Sequence, residues 1–294
     1  MPSPRRLKVG DRVGRLTIAV LALTMTGCRR SSDAAQADPA PRLTLPVVDG
    51  APRFDENDAI VVEVFRARTD ATSEETRTWE SNGWQIDLGG DGLYRAERGS
   101  LTRLSERLTQ LAQTRAGTSS PYLSKRALLI RADAEAPFHI VRSIFEAAAV
   151  ARLPRVFSAV RATRGGATGA VASPLPNDRS GQTLLVLAVT LSWDADRGLR
   201  RELGPTSRLI MPPTGDPILN PEKVVIPGGP EGDGRIDALL RDRYAEFRAV
   251  KLKGDYTHID IEIHADGGLP WRDVVEFIHR AGLSGPWRIG FALF

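Results

Sequence analysis

The chain has 294 residues, of which 41% are hydrophobic and 26% are charged, enough apolar material for about two ordinary globular cores. Its formal net charge of +4 comes from the amino terminus, because residues 28–294 carry 35 basic and 35 acidic side chains. We see no clustered basic face in this balanced remainder, which argues against a nucleic-acid partner. Cys28 is the single cysteine, so a disulfide within the chain is excluded.

The amino-terminal segment predicts export and lipid attachment. A basic stretch precedes the 12-residue apolar run LTIAVLALTMTG, which ends at Cys28. A transmembrane helix needs roughly 20 apolar residues, so residues 1–27 suit a signal peptide instead. The ending TMTGC resembles the lipobox of bacterial lipoproteins, which implies that Cys28 is lipidated. We expect residues 28–42 to form a disordered tether, and the protein to face the periplasm from the inner or the outer membrane.

The first predicted unit, residues 43–162, opens with an extended segment and a strand. Leu45-Pro46 marks the extended segment, because a residue before proline is restricted to extended backbone. The apolar run AIVVEVF at 59–65 predicts the strand. Four leucines then share one face of the pattern LTRLSERLTQLAQ at 101–113, which predicts an amphipathic helix.

A strand, a turn, a helix and a further strand complete this unit between residues 126 and 160. Asp133 directly follows the first of these strands, and we expect its carboxylate to accept hydrogen bonds from the amides of the turn. Pro137 suits the first helical turn, because an N–H at that point would have no helical partner. Both residues are therefore predicted to shape the turn, and no catalytic role is assigned to them.

A linker at 163–181 is predicted to join this unit to a second one, residues 182–294. Leu175-Pro176 repeats the extended motif, and the apolar run at 184–193 predicts a central strand that is buried on both faces. The helix that follows is predicted from an apolar stripe formed by Ile236, Leu239, Leu240, Tyr244 and Phe247. The second unit thus follows the element order of the first.

The two units carry a repeat without gaps at an offset of 133 residues. Segments 130–160 and 263–293 are identical at eight of 31 positions. The matched pairs include Asp133 with Asp266 and Pro137 with Pro270. A repeat this long suits a duplicated domain, because solenoid repeats are shorter. We therefore predict an α/β (α+β) protein of two similar small domains, each with a roughly four-stranded mixed sheet and about two helices on one face.

The sequence leaves the relation between the two copies open. They could form a pseudo-two-fold pair, because a linker of about 20 residues keeps one copy at a high effective concentration near the other. Alternatively, they could act as two independent beads. An extended particle would favour the beads.

One strand of the second copy has chemistry that we considered for a metal site. In THIDIEIHA the polar side chains alternate with apolar ones and share one face: His258, Asp260, Glu262 and His264. Imidazole and carboxylate groups spaced about 6–7 Å apart could begin a metal site. The first copy has Lys125, Ala127, Leu129 and Arg131 at the matching positions. We favour a solvated strand face, and we predict no metal, no cofactor and no catalytic residue.

The repeated pattern resembles a known family. Its order is strand, Ala-Asp, three residues, proline, aromatic residue, two residues, valine, helix and strand, as in RALLIRADAEAPFHIVRSIFEAAAVARLPRVFSAV. This order is similar to that of the periplasmic domain of the ExbD/TolR biopolymer-transport proteins, and the Leu-Pro after the tether fits as well. The resemblance is clear over 98–160, weaker over 43–65, and returns at 233–293.

The resemblance implies binding partners and one departure from the family. Relatives use a membrane-embedded Asp in a proton-driven ExbB/TolQ-type channel, and their periplasmic domains engage TonB, TolA-type proteins or peptidoglycan. Residues 16–27 contain no acidic residue and are too short to span a bilayer. The resemblance therefore implies the partner-binding domain, with association to such a channel, but no proton relay.

We expect a non-enzymatic envelope lipoprotein that serves as a protein- or peptidoglycan-binding accessory of a biopolymer-transport or envelope-energising system. The candidate partner-binding residues are those of the extended segments: Leu45, Pro46, Leu175 and Pro176. The alternative is a periplasmic lipoprotein that captures a small molecule between its two domains. A deep pocket between the domains would favour the alternative, and a filled interface would favour the first function.

Overall fold

The structure, a computed structural model, describes residues 43–56, 59–66, 83–89, 93–95, 98–113, 126–163, 166–173, 184–196, 198–205, 223–251 and 258–291. In chain order the elements are β1 (Val47–Val48), β2 (Ala59–Arg66), β3 (Trp84–Asp87), β4 (Leu93–Arg95), α1 (Arg98–Gln113), β5 (Ala127–Ala132), α2 (Phe138–Val150), β6 (Arg155–Ala162), β7 (Thr168–Ser173), β8 (Leu184–Asp194), β9 (Gly198–Pro205), β10 (Val224–Pro227), α3 (Pro230–Lys251), β11 (His258–Ala265), α4 (Trp271–Ser284) and β12 (Arg288–Phe291). The predicted signal peptide, Cys28, the tether and Leu175-Pro176 lie outside the described residues.

The strands form one sheet in each sequence copy. The first sheet has the order β1-β6-β5-β2-β3-β4, with β7 paired to β6, and the second has the order β10-β9-β8-β11-β12. The five strands β6-β5-β2-β3-β4 match β12-β11-β8-β9-β10, and each matched pair has the same parallel or antiparallel direction. The two copies therefore share one topology, which confirms the predicted α/β class.

Three details of the prediction are corrected. The sheets have seven and five strands in place of about four. Residues 168–173 of the predicted linker form β7, because they return along β6 as an antiparallel hairpin. Strand β8 is central, but only one of its faces is fully buried: Val186 and Ala188 are half-buried and Thr190 is exposed. The helices cover the other face, where Val189 and Leu191 are buried.

The helices of both copies enclose one continuous apolar core. Leu104 and Leu108 of α1 are fully buried, as the amphipathic pattern predicts. The same core cluster contains β2 residues of the first copy and Ile263 and Trp271 of the second. Residues 41–294 form a single compact unit. The two copies are thus a packed pair and not independent beads.

Backbone hydrogen bonds exchanged between the copies define a pseudo-two-fold axis. Four such bonds of 2.8–3.0 Å cross the contact: Phe138 N to Leu269 O, Trp271 N to Ala136 O, His139 N to Gly267 O and Arg272 N to Ala134 O. Adding 133 to the donor's number and subtracting 133 from the acceptor's number of a bond donated by the first copy gives the residues of its mate, with donor and acceptor copies exchanged. This reciprocity is the mark of an isologous contact, here within one chain.

The exchange explains the two prolines. Pro137 and Pro270 are the N-cap residues of α2 and α4, in extended backbone with φ near −60°, and neither helix has a side-chain cap. The first amides of a helix have no partner within the helix. Here the first two amides of each helix donate to carbonyls of the other copy's turn. Each copy therefore caps the other, and the prolines lie one residue before the helical turn in which they were predicted.

Aromatic rings fill the contact behind these bonds. Phe138 stacks on Trp271 with centroids 6.3 Å apart, and Phe145 lies 5.8 Å from the same ring. Phe291 at the end of β12 contacts both phenylalanines, at 5.1 and 5.2 Å. All four side chains are buried. These rings therefore pack the centre of the interface between the described parts of the two copies.

Candidate functional site

The repeated aspartates build equivalent turns. Asp133 Oδ1 accepts a hydrogen bond from Glu135 N, and Asp266 Oδ1 accepts one from Gly268 N, both at 3.0 Å. This i to i+2 contact is the Asx turn expected of an aspartate that follows a strand. These carboxylates therefore hold the turn backbone in place.

An extended segment, residues 44–49, crosses the end of the first sheet, and we call it the strap. Thr44 N donates to Asp133 Oδ2 at 2.8 Å, and Thr44 O accepts from Ala134 N at 2.7 Å. Further along, Pro46 O and Val48 O accept hydrogen bonds from backbone amides at the end of β6 and just beyond it, at 2.8 and 3.3 Å. One edge of the strap is thus hydrogen-bonded to the sheet like an added parallel strand, and β1 forms the central part of the strap.

The far end of the strap reaches the second copy. Asp49 O lies 2.7 Å from His279 Nε2 on α4, a hydrogen bond that the ring donates when Nε2 carries its proton. Leu45 packs on the face of the sheet away from the helices, against Leu129 and Ala159. The predicted partner-binding residues Leu45 and Pro46 are therefore held within the chain, and Leu175 and Pro176 lie outside the described residues.

A groove of about 450 Å³ separates the strap from the helices of the second copy. Its lining includes Val47 and Asp49 from the strap and Arg241, His279, Arg280 and Leu283 from α3 and α4. Val47 is 47% exposed and Leu283 is 71% exposed, so the groove presents apolar surface to solvent. Because hydrogen-bonding directions alternate along extended backbone, the N–H and C=O of Val47 face away from β6.

An ion-pair network forms the base of the groove. Arg280 of α4 bonds to Asp233 and Asp237 of α3 at 2.8 and 2.9 Å, and to Glu276 on its own helix at 2.9 Å. Arg201 of β9, almost fully buried, contacts Asp233 at 2.6 Å. The network joins the two helices and the sheet of the second copy, and it leaves Arg241 as an exposed cation with no ion pair to a described residue.

The acidic residue Asp273 lies next to this network. Burial raises the pKa of Asp273, and the positive charge of Arg272 opposes that rise. Its Oδ2 atom is buried and has no hydrogen-bond partner in the described ranges. The first copy has Ile140 at the matching position, so the charge belongs to the second copy alone.

The polar face of β11 differs from the predicted solvated face. Asp260 is 0% exposed and Glu262 is 6% exposed. Asp260 forms a bidentate pair with Arg288 of the adjacent β12 at 3.1 and 2.9 Å, a geometry that compensates a buried carboxylate. His264 lies 3.1 Å from Glu262. No group of three metal-ligating side chains occurs among the described residues, which exclude the side chain of His258.

Comparisons with protein-family models, with curated proteins and with solved structures give no match. The ExbD/TolR resemblance therefore rests on the sequence motif. Of the helices that the structure describes, none has the length and apolar character to span a membrane.

Sequence reasoning located the turn aspartates and one end of the strap, but not the groove. The groove exists because the two copies dock, which brings His279 and Leu283 beside a segment at least 230 residues away in sequence. A usable signal was present for the ion network: Asp233 and Asp237 are spaced one helical turn apart on α3.

Proposed function

We propose that the protein is a non-enzymatic envelope lipoprotein that binds an extended segment of a partner polypeptide, as an accessory to a biopolymer-transport or envelope-energising system. The observation that carries this proposal is the strap. The paired copies already hold one extended segment by backbone hydrogen bonds on one side, and they expose its other side to a groove. The sequence resemblance implies a TonB- or TolA-type protein as the partner. Peptidoglycan is the alternative partner, and the binding test below includes both.

Strand addition is the docking mode that fits this geometry. Main-chain hydrogen bonds to an exposed strand edge supply affinity, and pockets for alternate side chains supply selectivity. The outward-facing amide and carbonyl of Val47 provide the edge, and Leu283 provides an apolar wall opposite it. The packed aromatic interface argues against two lobes that close on a ligand along the axis.

The proposed lipid anchor would keep this groove near a membrane. The 15 residues from Cys28 to the start of the described chain reach at most about 50 Å when fully extended. A partner that crosses the envelope would then be met close to the bilayer surface. Metabolic labelling with a palmitate analogue tests the anchor, with label on the wild type and none on Cys28→Ala as the expected result.

The binding test uses the chain from residue 29 onward. Its affinity is measured by biolayer interferometry for periplasmic segments of a TonB-type and a TolA-type protein, and by co-sedimentation for purified peptidoglycan. Leu283→Asp places a charge in the groove and is expected to weaken polypeptide binding about tenfold or more. Val225→Asp, at another exposed apolar residue, is the control. Absence of binding to every probe, or equal losses in both variants, would refute the proposal.

The groove also supports the second candidate, capture of a small molecule at the seam between the copies. Its volume of about 450 Å³ lies in the range of small-ligand sites, and both copies line it. A thermal-shift screen of small periplasmic metabolites tests this function. Stabilisation that is lost in Leu283→Asp, together with no polypeptide binding, would favour it over the first.

A further inference from the structure

The strap is bonded at both ends to groups that hold helix α4, one wall of the groove. At its start, Thr44 N donates to Asp133 Oδ2 at 2.8 Å, and Thr44 O accepts from Ala134 N at 2.7 Å. At its far end, Asp49 O lies 2.7 Å from Nε2 of His279, in the second half of α4. Between these two points β1 packs against α4.

The residue that holds the start of the strap also caps α4. Ala134 donates its N–H to the strap, and its carbonyl accepts a hydrogen bond from Arg272 N, in the first turn of α4, at 3.0 Å. Because the first amides of a helix have no partner within the helix, this carbonyl helps to complete the start of α4. A shift of the Ala134 backbone therefore changes the bond to the strap and the cap of α4 together.

These contacts close into a ring, which we call the strap ring. It runs from Thr44 through Ala134 to Arg272, along α4 to His279, and back to the strap at Asp49. From Arg272 to His279 the helix rises about 10 Å, at about 1.5 Å per residue. Asp49 and His279 both line the groove, one from each wall. Engagement at Thr44 thus helps to position both walls.

The start of the strap is the part that opens first. Thr44 is exposed and Leu45 is half-buried, whereas Pro46 is buried and Val48 is 4% exposed. Local opening begins where few apolar contacts are buried, so the bonds of Thr44 open before the middle of the strap leaves the core. Residues 1–42 precede the strap in the chain, so a pull from the proposed lipid anchor also reaches Thr44 before Pro46 and Val48.

We propose that the strap regulates the groove: its start is a releasable clasp, and engagement at Thr44 raises the affinity of the groove for a partner polypeptide. This inference rests on the proposed function, because it takes the groove to be the binding site. Linkage makes the effect reciprocal, so a bound polypeptide stabilises the engagement of Thr44 by the same factor. A pull on the amino-terminal segment opens the clasp, lowers the affinity and releases the partner.

Native-state hydrogen exchange with the chain from residue 29 onward tests the strap ring without a partner. Thr44→Pro removes the N–H that donates to Asp133 and leaves every residue of the turn in place. We expect the amide of Arg272 to exchange about tenfold faster relative to that of His139, the pseudo-symmetric amide that donates to Gly267 O. Thr44→Ala keeps both backbone bonds of the strap, and we expect it to leave this ratio unchanged.

Partner binding tests the regulation. Biolayer interferometry with the TonB- and TolA-type segments is expected to show about tenfold weaker binding to Thr44→Pro and unchanged binding to Thr44→Ala. In the opposite direction, a saturating partner segment should slow exchange at the amide of Ala134, which donates to the strap, by a similar factor. Ala134 does not line the groove, so this slowing reports coupling through the strap.

An unchanged ratio of Arg272 to His139 exchange in Thr44→Pro would overturn the strap ring, and so would an equal change in Thr44→Ala. Equal partner affinity in the wild type and Thr44→Pro would overturn the regulation. Failure here is separable from failure of the proposed function. Partner binding that depends on Leu283 and persists in Thr44→Pro would retain the groove and remove the clasp. A changed exchange ratio with no binding to any probe would refute the proposed function, and the regulation with it.

Discussion

The aromatic contact between the copies predicts that truncating Trp271 lowers the free energy of unfolding by a large amount. This side chain is 0% exposed and contacts Phe138 and Phe145 of the other copy. Truncating a buried Trp to Ala costs about 3–5 kcal/mol, a large part of the roughly 5–15 kcal/mol that stabilises a typical domain. We therefore expect Trp271→Ala to lower the free energy of unfolding of the whole chain by about 3–5 kcal/mol.

Two matched variants separate packing from polarity. Trp271 Nε1 is buried and has no hydrogen-bond partner among the described residues. Trp271→Phe keeps a ring, removes this unsatisfied donor, and installs the residue type that the first copy has at Phe138, so a change within about 1 kcal/mol is expected. Trp193→Ala removes a ring that is 55% exposed, and its cost should stay within about 0.5 kcal/mol.

Urea unfolding followed by circular dichroism and by tryptophan fluorescence measures these values. The two probes should give one coincident transition, because a single core joins the copies. A cost below about 1 kcal/mol for Trp271→Ala, or two separate transitions of which only one moves, would refute the packed interface.

Other predictions follow from single residues. Gly232→Ala should destabilise the chain by about 1–3 kcal/mol in chemical denaturation, because the new Cβ would overlap a carbonyl oxygen of β10. Gly234→Ala is the control: its Cβ would enter open space, so this change should be neutral or stabilising. Equal effects of the two substitutions would contradict this reasoning. Arg288→Met should cost about 3 kcal/mol by leaving a buried carboxylate unpaired, and adding Asp260→Ala should recover part of that loss; strict additivity would count against the pair. Burial raises the pKa of Asp273, so the folded chain binds more protons than the unfolded chain above pH 3.8, and stability should fall as pH rises through the folded pKa. Asp273→Asn should flatten that fall in unfolding free energy measured from pH 4 upward, and an unchanged slope would rule out Asp273 as its source.

Local sequence rules were sufficient for elements that depend on residues close together in sequence and that occur in both copies. The alternation along β11 predicted a strand, and the apolar faces of α1 and α3 predicted helices. Asp133 and Asp266 follow their strands directly, and the structure places both carboxylates on turn amides. Such features depend on residues two or three positions apart, which periodicity and turn chemistry capture.

Features that arise from docking could not be predicted in this way. Pro137 has no visible capping partner in the sequence, because the atoms that complete its helix belong to the other copy. The small residues of β7 show no strong strand pattern, and they are buried because β6 and α4 cover them. The sequence suggested that Asp260 faces solvent, because alternation predicts which face of the strand a side chain lies on. Alternation does not predict whether other residues cover that face, and Asp260 is buried. Burial of this kind is a property of the assembled pair.

Native-state hydrogen exchange at the reciprocal cap tests the central claim most directly. The amides to follow are those of Phe138, His139, Trp271 and Arg272, the first two residues of each helix. An uncapped helix start exchanges by local fraying, at little free-energy cost. Because each copy supplies the missing acceptors, we predict that all four amides exchange with opening free energies within about 1 kcal/mol of global unfolding. Rapid exchange at these positions, alongside a protected α2 and α4 interior, would contradict the paired arrangement.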